Sequence, residues 1–289
     1  MQVMQDIDQM RAIVRDWKKQ GLRVAFVPTM GNLHDGHLSL IRLAQEKADK
    51  VVASIYVNPL QFDRPDDLSA YPRTLQADLD HLEADGVDLV FTPDDKTIYP
   101  DGIEMSTKVD VPVISTILCG AHRPGHFVGV ATVVCKLFNM VAPDVAVFGE
   151  KDFQQLLLIR RMAQDLNLPV TIVGAPTRRE ASGLAMSSRN NYLTAAEKEQ
   201  AAGLYRMLRD AADKLIDAGH FYPALEQEGA AQLEAGGFVP DYVSVRRAVD
   251  LQIPSPQDKP EELVILCAAI LGKARLIDNI QISRYLAER

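Results

Sequence analysis

Apolar residues at Ile7, Met10, Val14 and Trp17 recur at helical spacing and stop at Gly21, which predicts an amphipathic helix closed by a glycine. The run Leu22 to Val27 follows, mostly apolar, and reads as a buried strand ending at Pro28-Thr29. The alternation then continues. Helices are predicted over His37 to Ala48, around Leu75, Leu79 and Leu82 up to Gly86, over Phe127 to Val141 and over Phe153 to Leu166. Strands are predicted at Val51 to Val57, Val87 to Phe91, Val145 to Phe148 and Val170 to Val173. Parallel neighbours need helical crossovers, so this rhythm predicts an α/β fold built on a doubly wound parallel sheet. Ligands of such sheets sit at the carboxyl ends of the strands.

Past residue 175 the rhythm changes. Two helical stretches, Ala195 to Ala218 and Tyr222 to Ala235, precede extended runs at Tyr242 to Val249 and Leu263 to Leu271, the order of a smaller C-terminal α+β domain. The segment between, Pro176 to Asn191, is rich in Arg and Ser and has no periodicity. The domain boundary is expected there, dividing the chain into 1–175 and 176–289. No fixed-period repeat or low-complexity tract interrupts this organisation.

Composition narrows the class. Of 289 residues, 47% are hydrophobic and 24% charged, enough apolar mass for a packed core and unlike a disordered or collagenous chain. Three cysteines, Cys119, Cys135 and Cys267, form no CxxC pair, which favours reduced thiols in the cytoplasm. Met1 to Met10 is polar and carries no signal-peptide core, and no apolar run approaches the ~20 residues that span a bilayer. With 31 basic against 39 acidic residues the net charge is −8, which argues against a surface that coats nucleic acid. A site for an anionic ligand must therefore be locally basic.

Four stretches concentrate such groups. Pro28-Thr29-Met30-Gly31-Asn32-Leu33-His34-Asp35-Gly36-His37 leaves a strand and opens a helix, where backbone N–H groups and the helix dipole favour phosphate. His34 and His37 also fit a structural pair or two zinc ligands, although no Cys or third His lies nearby in sequence. Gly120-Ala121-His122-Arg123-Pro124-Gly125-His126 is a basic turn before a helix, suited to carboxylate or phosphate oxygens or simply solvated. Phe148-Gly149-Glu150-Lys151-Asp152-Phe153-Gln154-Gln155 ends a strand; Lys151 offers a point charge for phosphate and Asp152 a ribose or magnesium contact. Met186-Ser187-Ser188-Arg189-Asn190 sets two hydroxyls and a guanidinium in a loop.

His34-Asp35-Gly36-His37 resembles the HIGH signature of class I nucleotidylyl transferases, and Met186-Ser187-Ser188-Arg189 resembles their KMSKS counterpart. Pro28–His37, Asn58–Phe62, Arg123–Phe127, Phe148–Gln155 and Gly183–Asn190 together, in this order, resemble the pantoate–β-alanine ligase family. The resemblance implies a Rossmann-like nucleotide- and pantoate-binding domain followed by a smaller lid domain. It also implies a cytoplasmic homodimer that uses ATP and Mg2+ to form a pantoyl-adenylate, which β-alanine then attacks to give pantothenate and AMP. On that pattern ATP is held by Met30, Gly31, Asn32, Leu33, His34, Asp35, Gly36, His37, Gly149, Glu150, Lys151, Asp152, Met186, Ser187, Ser188, Arg189 and the carbonyl of Arg178. His37, His34, Lys151 and Arg189 take the catalytic roles. Gln61, Gln155, Arg123 and His126 hold pantoate, and Gln61 also meets β-alanine. Arg178, Ser182 and Val128 depart from the family pattern, the first by replacing an aliphatic residue and the second an aspartate.

This chemistry suits the residue types. Attack of a carboxylate on the α-phosphorus needs positioning and charge stabilisation rather than a covalent nucleophile. Neutral amides at Gln61 and Gln155 orient a carboxylate without stabilising its ground state as a tight cation would. A nucleotidylyl transferase acting on a phosphate acceptor would want basic residues there. A non-catalytic ATP-binding module would not need the histidines, Lys151 and the Ser-Arg loop together. Elsewhere, Cys135, Cys267 and Trp17 are expected in the core, and His81 and His220 in solvent.

Overall fold

The computed structural model describes residues 1–62, 65–218 and 222–289. The chain divides into two compact units, Met1–Glu150 with Gln155–Pro176, and Lys151–Gln154 with Thr177–Arg289.

The first unit is a six-stranded parallel sheet. Its strands are β1 (Gln2–Met4), β2 (Val24–Thr29), β3 (Lys50–Ile55), β4 (Leu89–Phe91), β5 (Val145–Gly149) and β6 (Thr171–Ala175), in the order β1-β4-β3-β2-β5-β6. The doubly wound expectation holds. Four successive residues of β2, Val24 to Val27, and four of β3, Val51 to Ser54, are buried, as strands covered on both faces must be. The helices Ile7–Lys19, Asp35–Lys47, Leu75–Ala84, His126–Val141 and Phe153–Asp165 lie between these strands in sequence. Chain order reverses between β2 and β5, which makes their carboxyl ends the topological switch point. Pairing of β2 with β3 runs to Thr29–Ile55, whereas pairing with β5 stops at Phe26–Ala146. Pro28, with no N–H, lies beyond that last β2–β5 pair, so the two strands part at the end where a ligand is expected.

The second unit is an antiparallel sheet of β7 (Val239–Arg247), β8 (Leu263–Leu271) and β9 (Ala274–Gln281), in that order. Met207, Leu208 and Leu215 of the helix Gly203–Ala218 share its core with Ile265, Cys267 and Ala269 of β8. The predicted helix Ala195 to Ala218 is broken at Ala202 into Ala195–Ala201 and Gly203–Ala218.

Two details differ from expectation. Trp17 is only half-buried, its ring covered by the Lys50 ammonium at 5.6 Å, because it sits at the margin of the helix stripe formed by Met10 and Val14. Cys135 is half-buried on the helix His126–Val141, while Cys267 is in the core. His81 is exposed as expected, and His220 lies outside the described residues. Among the described residues no helix is long and apolar enough to cross a membrane.

Candidate active site

The loop leaving β2 is held by a residue far along the chain. Gly31 adopts φ +77°, and a Cβ there would meet Asp78 Oδ2 at 2.8 Å and Ile55 Cγ2 at 3.1 Å. Glycine lets Asp78, only 2% exposed on the helix Leu75–Ala84, rise beneath the loop. The Asn32 N–H donates to Asp78 Oδ2 at 2.9 Å, the Leu33 N–H to Oδ1 at 2.8 Å, and the Thr74 hydroxyl to Oδ2 at 3.1 Å. Those two backbone donors are therefore spent on a carboxylate.

The next residues cap the helix Asp35–Lys47. His34 is its N-cap, its Nδ1 accepting from the Gly36 N–H at 3.1 Å, while His37 Nδ1 accepts from the His34 N–H at 3.3 Å. The rings lie 4.1 Å apart. An Nδ1 that accepts from an amide carries no proton, so both rings are neutral with the proton on Nε2. The histidine capping box thus leaves the proton of each ring on Nε2, and both Nδ1 atoms, occupied by amides, are closed to zinc. Among the described residues no group of three His, Cys, Asp or Glu is placed to hold a metal.

A relay of amides lies in the same unit. The Tyr99 hydroxyl donates to Asn58 Oδ1 at 2.7 Å. Burial, reinforced by the Asp95 charge, pushes that hydroxyl above the ordinary tyrosine range, so it stays a donor. Asn58 Nδ2 donates to Gln61 Oε1 and to the Gly129 carbonyl, both at 3.1 Å, and Gln61 Nε2 donates to Met30 Sδ at 2.7 Å. Each bond dictates the orientation of the next amide. Gly129 makes the approach possible, since a Cβ there would fall 2.2 Å from the Leu60 carbonyl oxygen.

Arg123 and His126 converge on the main chain of Gln61. Its carbonyl accepts from His126 Nδ1 at 2.7 Å and from Arg123 Nη2 at 3.1 Å, while Arg123 Nη1 is 3.2 Å from His126 Nε2. A carbonyl only accepts and a guanidinium only donates, so His126 carries its proton on Nδ1. Gln155 lies in the first turn of the helix Phe153–Asp165 and is half-buried, whereas the Glu150 side chain is buried at 5% exposure.

The second unit carries the other motif residues. Lys151 and Asp152 form a short turn, with Nζ 3.9 Å from Asp152 Oδ2. Residues 178 to 186 make a hairpin closed by an Arg179–Ala185 bridge and by the Met186 N–H donating to the Arg178 carbonyl at 2.9 Å. Ser182 Oγ accepts from the Leu184 N–H at 3.3 Å, so the serine turns this loop by itself. Ser187 caps the short helix Ser188–Tyr192, accepting from the Arg189 N–H at 3.3 Å. Lys151, Ser187, Asn190 and Asp278 line one concavity of this unit.

The motifs marked these segments, but not what holds them. Asp78 and Tyr99 were invisible among ordinary helix and loop residues. Asp78 follows Thr74 by four residues, but a single sequence does not distinguish that spacing from a common cap.

The family model described as pantoate-beta-alanine ligase matches residues 2–281. A pantothenate synthetase of Shewanella amazonensis is 59% identical over 278 residues, 96% of this chain and 98% of that protein. One of Idiomarina loihiensis is 55% identical over 277 residues, with the same coverage. The crystal structure of pantothenate synthetase from Thermus thermophilus superposes with a TM-score of 0.88 at 41% identity, covering 98% of this chain and 99% of that one. The ligase of Francisella tularensis, complexed with beta-gamma ATP and beta-alanine, gives 0.82 at 37% identity, with 98% of each chain covered.

Proposed function

The chain belongs to the pantoate–β-alanine ligase family, and we propose that it condenses pantoate with β-alanine through a pantoyl-adenylate, releasing AMP and pyrophosphate. The observation that carries this reading is the bond from Gln61 Nε2 to Met30 Sδ, beside the paired histidines. It ties a neutral amide to the loop that opens the histidine helix, as a reaction between a carboxylate and a nucleotide requires.

Gln61, Gln155, Arg123 and His126 serve pantoate in this proposal, and the latter pair act through the Gln61 carbonyl that they hold. Gln61 has a second Nε2 hydrogen for a substrate oxygen and also meets β-alanine. Met30 to His37, Gly149 to Asp152, the Arg178 carbonyl and Met186 to Arg189 hold ATP. A carbonyl has two lone pairs, so the Arg178 bond to Met186 leaves one for a ligand. As the pantoate carboxylate attacks the α-phosphorus, His34 and His37 donate from Nε2 to the phosphate oxygens, while Lys151 and Arg189 add fixed positive charge. No proton need move in this step. The donors are preset by the capping box, so little reorganisation accompanies charge development.

Magnesium would neutralise phosphate charge when bound. It usually needs one or two carboxylates beyond the phosphates, and Asp152, about half exposed, suits that demand. The enzyme is proposed to act as a homodimer in the cytoplasm, a setting in keeping with the thiols of Cys119, Cys135 and Cys267.

ATP–pyrophosphate exchange tests the reading. Exchange that requires pantoate but not β-alanine is the expected result. Tight ATP binding with no exchange under any substrate combination overturns it.

A further inference from the structure

Asp278 and Asn279 of β9 interrupt an apolar strand with two polar side chains, yet they are only 4% and 6% exposed. Buried polar groups at adjacent strand positions, on opposite faces, call for partners on both. Asn279 Nδ2 donates to the backbone carbonyl of Lys151 at 2.9 Å. The Asn279 N–H donates to Asp278 Oδ1 at 2.8 Å. Asp278 in turn receives Arg179 through both carboxylate oxygens, Nη1 at 2.6 Å and Nη2 at 2.9 Å. Arg179 also donates to the Gly183 carbonyl at 3.2 Å and stacks its guanidinium 3.7 Å from the Tyr205 ring centroid. Arg179 belongs to the hairpin that leads directly into Ser187-Ser188-Arg189. Two neighbouring residues of one strand thus anchor both motif segments of the second unit.

We infer that Asn279 and Asp278 are positioning residues for adenylate formation: Asn279 sets the main chain from which the Lys151 ammonium extends, and Asp278, through Arg179, registers the Ser-Arg loop against it. The inference rests on the proposed role of Lys151. The alternative is that the pair only stabilises the small sheet. The geometry favours positioning because the Asn279 carboxamide reaches out of its own sheet, to a carbonyl of the 151–154 segment.

Asn279 is the cleaner handle, since removing Asp278 would strand the Arg179 charge in a largely buried site. Asn279→Ala should slow pantoate-dependent ATP–pyrophosphate exchange by ~10–100-fold, the scale of a misplacement near 1 Å. β-Alanine attack on supplied pantoyl-adenylate should keep its rate. In a Lys151→Ala background the same substitution should cost less than a third of that factor, because its effect passes through Lys151. Equal slowing in both backgrounds, equal loss of exchange and aminolysis, or no slowing at all overturns the inference. Where Asn279→Ala yields no folded protein, Asn279→Ser is carried through the same cycle. Wild-type exchange and the single Lys151→Ala variant report separately on the underlying reading. If the wild type fails to exchange, or Lys151→Ala exchanges normally, that reading fails, and otherwise the cycle judges Asn279 alone.

Discussion

Asp78→Asn probes the support beneath the loop proposed to hold ATP, with almost no change in volume. The carboxylate takes three donors: Oδ2 receives the Asn32 N–H and the Thr74 hydroxyl, and Oδ1 receives the Leu33 N–H. An asparagine has one oxygen, which does best in the Oδ2 position with two donors. Its NH2 group then faces the Leu33 N–H. A buried donor left without an acceptor costs about 1–3 kcal/mol. Leu33 directly precedes the N-cap His34, so the natural relief is for this loop to pull away and carry the paired rings with it. If the whole cost falls on the ligand-competent loop, ATP binds roughly 5- to 150-fold more weakly. Calorimetric titration of ATP, with thermal unfolding alongside, measures how that cost divides between binding and stability. Pantoate affinity should fall less than ATP affinity, since Gln61 touches this loop through Met30 but is also held by Asn58 and, behind it, Tyr99. A folded Asp78→Asn protein with unchanged ATP affinity refutes the link between this carboxylate and the nucleotide loop.

Other outcomes follow from single contacts. His37→Ala should lower kcat by about 10²–10³, the scale of one lost transition-state donor, with a smaller change in ATP affinity; near-normal turnover removes it from the mechanism. Gly129→Ala should raise the pantoate KM and lower Tm, since its methyl group would displace the Leu60 carbonyl; an unshifted Tm contradicts the packing. Gln155→Glu should weaken pantoate binding and recover as pH falls and the new carboxyl protonates; loss that is equal for ATP and pantoate contradicts its assignment. Tyr56 and Tyr99 are both pushed up by burial and Asp95, so unfolded chains lose these protons first. Stability should therefore fall as pH rises past the ordinary tyrosine value near 10, and Tyr99→Phe should flatten the fall in a pH series of Tm values.

The parallel sheet was legible because buried strands and amphipathic helices have different periods, and the chain alternates them cleanly from Val24 to Ala175. Where that contrast fails, elements were missed. β1 has only three residues. β9 reads ARLIDNIQ, in which Asp278 and Asn279 break the apolar run, so the strand that supports Lys151 was not predicted. The missed supports share one physical reason. Asp78, Tyr99 and Asn279 act across 46, 41 and 128 residues of sequence, on the loop at Asn32, on Asn58 and on Lys151 respectively. Local pattern carries no information at such separations. The residues suited to ligands were visible because their chemistry is local and unusual, as with two histidines flanking a glycine.

The histidines show how far residue type alone determines chemistry. His37 and His126 each follow a glycine and each belong to a helix start. Yet the proton sits on opposite nitrogens. At His37 the group facing Nδ1 is a backbone N–H, so the ring accepts there and carries its proton on Nε2. At His126 the group facing Nδ1 is the Gln61 carbonyl, so the ring donates inward, and its Nε2 accepts from Arg123. A second proton on either ring would break a bond already made, at His37 to an amide and at His126 to a guanidinium. One neutral form thus suits phosphate and the other suits the loop that presents Gln61. The main-chain group placed against Nδ1, rather than the histidine itself, decides which part each ring can play.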